Sequence, residues 1–90
     1  MKTISFNPEF AERSLKSLRD IIGIAPDRGY SINQVRLGVK VLDKVSGVTG
    51  DKVVLEDAEY DFVRERINET MWVAADSFIV EFFDAVVTAS

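Results

Sequence analysis

The chain has 90 residues, 47% of them hydrophobic and 29% charged, a net charge of −4, and neither histidine nor cysteine. That balance is that of a folding chain, and it removes disulfides, Cys/His zinc sites and any chemistry that depends on a thiolate or an imidazole. Residues 1–55 carry nine Lys/Arg against six Asp/Glu and residues 56–90 carry two against nine, which argues against general nucleic-acid binding, because phosphate contacts need clustered cations.

The length fits one domain over 1–90, a size at which only about 60–65% of the unfolded chain's surface is buried and stability is modest. No repeat, low-complexity tract or linker interrupts it. Met1-Lys2-Thr3-Ile4 offers no signal-peptide hydrophobic region, and no apolar run approaches the roughly 18–20 residues that cross a bilayer. The expectation is an intracellular protein without membrane contact.

Thr3-Ile4-Ser5-Phe6 alternates like a half-buried strand, and Asn7-Pro8-Glu9 then supplies an N-cap, a first-turn proline and an early acid for a helix over 8–22. Its apolar residues Phe10, Ala11, Leu15, Leu18, Ile21 and Ile22 fall in one arc of about 140°. Gly23 ends it and Pro26-Asp27-Arg28-Gly29 reads as a turn. Ser31-Ile32-Asn33-Gln34 matches a capping box at the head of a second helix, 32–45, whose apolar residues Ile32, Val35, Leu37, Val39, Val41, Leu42 and Val45 span about 220°.

Ser46 to Asp51 is turn material and Lys52-Val53-Val54-Leu55 a second short strand, over 52–55, with residues 3–6 as its expected pairing partner. Asp57 caps a third helix, 58–71, with Tyr60, Val63, Ile67 and Met71 facing inward. Asp76-Ser77 caps a fourth, 77–88, in which Phe78, Ile79, Val80, Phe82, Phe83, Val86 and Val87 again span roughly 220°. The fold class is α+β, mostly α: four short helices and a minimal two-stranded sheet.

Motifs with chemistry are few. Gly47-Val48-Thr49-Gly50-Asp51-Lys52 departs from a phosphate loop, since Asp51 intrudes and Val53 follows the lysine. The acids Glu56, Asp57, Glu59 and Asp61 lack calcium-loop spacing, and acids in the first turn of a helix are favoured by its dipole. No catalytic, cofactor-binding or metal-ligating residue is assigned, and the expectation is a non-enzymatic protein with no cofactor.

Two charged lines stand out. Arg36, Lys40 and Lys44 form a basic line on the second helix; Asp61, Glu65 and Glu69 form an acidic one on the third. Like charges four apart disfavour a helix by a few tenths of a kcal/mol, so the lines are either solvated or set against each other, within or between chains. The basic line beside the 46–53 turn also allows a winged-helix-like nucleic-acid binder as an alternative.

Phe62 projects away from the Tyr60/Val63/Ile67 stripe among Glu65, Arg66 and Glu69, which reads either as an interface anchor or as a plug under the 46–52 turn. Trp72 reads as a core or interface plug. With two helices too apolar for so small a domain to cover, the expectation is that the fourth, through Phe78, Phe82, Phe83 and Val87, completes its burial against another copy or another protein. The competing expectation makes it the central partner of the second helix.

Val54-Leu55-Glu56-Asp57-Ala58-Glu59-Tyr60, Met71-Trp72 and Ala75-Asp76-Ser77-Phe78-Ile79-Val80-Glu81-Phe82 together resemble a pattern in small tailed-phage and prophage proteins. The resemblance covers about the last 40 residues of this sequence and carries no assigned activity. It implies a virion or assembly component, or a modulator that binds a host or phage protein, located in the host cytoplasm or the virion; of the two, assembly through self-association also accounts for the surplus apolar arcs.

Overall fold

The computed structural model describes residues 1–72 and 74–90. Two strands, β1 (Lys2–Ser5) and β2 (Lys52–Leu55), pair antiparallel with Thr3 opposite Val54 and Ile4 opposite Val53. The period-two alternation sends Ile4, Val53 and Leu55 inward and leaves Val54 outside. On the other side of β1, Thr3 exchanges backbone hydrogen bonds with Ser90, 2.9 Å from its N–H and 3.3 Å to its carbonyl.

Asn7 accepts a hydrogen bond from the Glu9 amide at 3.0 Å and starts a 3-10 turn, Pro8–Phe10, that leads into α1 (Ala11–Gly23). The expected 8–22 helix therefore opens with one tight turn. Leu15, Leu18 and Ile22 on one face of α1 are buried, as the single apolar arc requires. The turn after it closes on a Gly29 N–H to Pro26 carbonyl bond of 2.7 Å, with Gly29 at φ 78°, the left-handed region that a glycine enters without a Cβ clash.

The capping box at Ser31 is formed in both directions: the serine hydroxyl accepts from the Gln34 amide at 3.2 Å and the Gln34 side chain accepts from the Ser31 amide at 2.8 Å. It starts α2 (Ile32–Ser46). Gly38, in its middle, is buried against α1 and α3: an added Cβ would lie 3.6 Å from Ile22 Cγ2 and 3.7 Å from Phe62 Cε2. A methyl at this point would meet both helices at ordinary van der Waals distance.

The third helix, α3 (Asp57–Glu69), starts one residue before its expected position because Glu56 rather than Asp57 is its cap, and Asp57 instead meets the N-terminal ammonium at 2.9 Å. It also ends two residues early. Thr70 leaves the helical conformation, its hydroxyl donating to the Arg66 carbonyl at 2.7 Å, so Met71 is 91% exposed and not part of the inward stripe. Asp76 then caps α4 (Ser77–Val87) through the Phe78 amide at 2.9 Å.

Among the described residues the molecule is thus four α-helices and one two-stranded sheet, the mostly helical α+β class read from the sequence. One hydrophobic core runs through all of them, from Ile4 and Phe6 through Leu18, Val41 and Val63 to Phe82 and Val86. No described helix is long and apolar enough to cross a membrane.

Candidate interaction surface

Helix α4 turns most of its aromatic residues inward. Phe78 and Phe82 are 5% and 1% exposed, and they continue a run of ring contacts: Phe6 stacks on Phe82 at 5.7 Å, Phe10 meets Phe78 edge-on at 6.0 Å, and Trp72 meets Phe82 edge-on at 6.2 Å. The Arg13 guanidinium, held by Asp76, lies 4.0 Å from the Phe78 ring centre. The expectation that Phe78 and Phe82 await a partner is therefore corrected. Flanked by β1, α3 and the Phe6–Phe10 segment, they are covered within the chain, while Phe83 and Val87 are half-buried.

Phe62 is corrected likewise. It is 5% exposed, its ring 5.5 Å from that of Tyr30 and against Gly38 of α2, so it lies under the 24–31 loop and not under the 46–52 turn. Arg66 is internal too, at 8% exposure. Its guanidinium donates to the Tyr30 hydroxyl at 2.8 Å, to Glu69 at 2.8 Å, and to the Ile21 and Ile24 carbonyls at 3.2 and 2.9 Å. It supplies donors to carbonyls at the C-terminal end of α1, where helical partners run out.

The two charged lines do not meet as lines. Lys44 pairs with Glu59, a carboxylate outside the acidic row that is almost fully buried and also accepts the Glu56 amide at 2.9 Å. Burial alone would raise the Glu59 pKa, but the hydrogen bonds from Lys44 and the Glu56 amide, with the charges of Lys44 and Lys40, outweigh it and hold the carboxyl below its ordinary value. Of the acidic row, Glu69 and Glu65 are met from the loop by Arg28, at 3.1 and 4.0 Å, and Asp61 has no ion pair among the described residues. Hydrogen bonding by Arg66, and further by Arg28, overcomes burial to lower the Glu69 pKa.

The nucleic-acid alternative loses its wing. A wing is a hairpin, whereas the 46–51 segment leads straight into β2, whose partner is β1 from the start of the chain.

Among the described residues, the longest row of exposed apolar side chains on one element lies on α2. Ile32, Val35 and Val39 are 65%, 41% and 52% exposed, and half-buried Leu42 continues the row. Their spacing of three, four and three is that of a heptad seam. Val41, Val45 and Gly38 face the core, so the broad arc of this helix divides into a buried side and an uncovered flank. Arg36 and Asp43 border that flank, seven residues apart and in no ion pair among the described residues.

A second apolar feature is a shallow notch of about 320 Å3 between the end of α3 and α4, lined by Ile67, Thr70, Trp72, Ile79, Val80 and Phe83. Trp72, at 38% exposure, is its largest wall, and Val80 is 60% exposed. Sequence reasoning singled out Trp72 and Phe83 but not Ile32, Val35 or Val39 as a surface. Spacing alone does not mark this flank, because Gly38, Val41 and Val45 on the buried side are three and four apart as well.

Comparison with protein-family models, with curated proteins and with solved structures gives no match.

Proposed function

We propose that the chain is a non-enzymatic protein–protein interaction module that presents the open flank of α2 to another protein surface. The row of Ile32, Val35 and Val39 on a regular helix supports this reading. β-branched side chains are stiff and lose little freedom on contact, and burying three of them is worth several kcal/mol at roughly 25 cal/mol per Å2. Taken with the phage-type pattern of the last 40 residues, the module serves as an assembly or virion accessory component that acts in the host cytoplasm or the particle.

A second reading, a modulator that captures a host or phage protein, is favoured by the notch beside Trp72, which has the size and lining to accept one apolar side chain.

The test is a photo-crosslinking amino acid placed singly at position 35, 39, 80 or, as a control on the exposed side of α3, 64, in the cells from which the gene comes. Discrete adducts from 35 and 39 alone support the α2 surface, and adducts from 80 alone move the function to the notch. Equal labelling at all four positions, or none at 35, 39 and 80, overturns the interaction reading.

A further inference from the structure

We propose that the occupant of the α2 flank is a second copy of this chain, docked antiparallel about a two-fold axis that passes by Val39. This rests on the reading of α2 as the contact surface and adds the partner and its register.

The argument is one of charge. An isologous contact must be complementary to itself, and α2 carries one cation and one anion beside its apolar row, Arg36 and Asp43, without partners among the described residues. With two such helices antiparallel and Val39 opposite Val39, Val35 comes opposite Leu42 and Ile32 opposite Ser46. In the same register Arg36 faces Asp43 of the second copy, and the symmetry makes that pair twice.

Other registers lose this match. Shifting the axis to between Val35 and Val39 sets Arg36 beside Arg36 of the second copy. A parallel seam would oppose Arg36 with Ser31 and Asp43 with Gly38, neither of which is charged. Antiparallel packing also aligns the helix dipoles favourably.

The contact is small. α2 has 15 residues, roughly 22 Å of helix at 1.5 Å per residue, and one flank of it falls well under the roughly 800 Å2 per partner of a standard interface. The dimer is therefore weak and concentration-dependent, and it forms best where many copies are brought together.

Sedimentation equilibrium to about 1 mM chain, the regime of interactions near −4 kcal/mol, tests the proposal with the wild type, V39D, R36D and D43R. Circular dichroism first establishes that each variant is folded, as the exposed positions allow. The wild type is expected to dimerise reversibly, V39D to be monomeric, and each charge reversal alone to weaken the dimer about tenfold.

Mixing R36D with D43R decides the register. Each variant alone repels its own copy, whereas the mixture restores both opposite-charge pairs and forms a heterodimer about as tight as the wild type. No gain on mixing overturns the antiparallel register. A wild type that stays monomeric to about 1 mM overturns the second copy as occupant and leaves the crosslinking result at 35 and 39 to stand on its own. A V39D variant that still dimerises overturns both the register and the α2 surface.

Discussion

Arg66 shows how one side chain joins distant parts of a small chain. Four acceptors from α1, the loop after it and α3 converge on its guanidinium, and burial, which would ease its proton off, is outweighed by the bonds to Glu69 and Tyr30. Arg66→Ala leaves two backbone carbonyls and a half-buried tyrosine hydroxyl short of donors, and is expected to cost about 2–4 kcal/mol in urea unfolding. Phe82→Ala is expected to cost about 3–5 kcal/mol, since its ring is central to the aromatic run. The burial of Phe62 and Arg66 is not visible from a helical wheel: both sit on the charged side of α3, and the groups that cover them, Tyr30 and Gly38, are about thirty residues earlier.

Local chemistry fixed the elements more firmly than it fixed what covers them. The caps at Asn7, Ser31 and Asp76 are all formed, and Ser31→Ala is expected to lower stability by about 1 kcal/mol. At Gly38 an added methyl would make ordinary contacts of 3.6–3.7 Å, so Gly38→Ala should raise stability by about 0.5–1 kcal/mol through better helix propensity. Thermal unfolding of the two variants side by side would show the opposite signs. By contrast, α2 and α4 carry equally wide apolar arcs in the sequence. They end differently because α4 lies against β1 and the Phe6–Phe10 segment, a placement set by long-range topology and not by either helix's own periodicity.

The molecule as a whole carries its titration at the acid end. Glu59 and Glu69 are held below their ordinary 4.5 in the fold. Each therefore contributes stability that is present above about pH 4.5 and is lost as pH falls through its lowered folded value. Urea midpoints should be level between about pH 5.5 and 7, where no histidine titrates, and drop below that range; Glu59→Gln should make the drop shallower. A midpoint that changes between pH 5.5 and 7 would contradict the assignment.

The same convergence at Arg66 constrains how the fold comes apart. Its bonds reach residues 21, 24, 30 and 69, so the loop preceding α2 has no independent release: freeing it means freeing the end of α1 and the last turn of α3 together. Native-state hydrogen exchange should accordingly report a single opening event, with the hydrogen-bonded amides of 22–24, 29 and 67–70 sharing one opening free energy, and Arg66→Met should split that event into separate, faster ones.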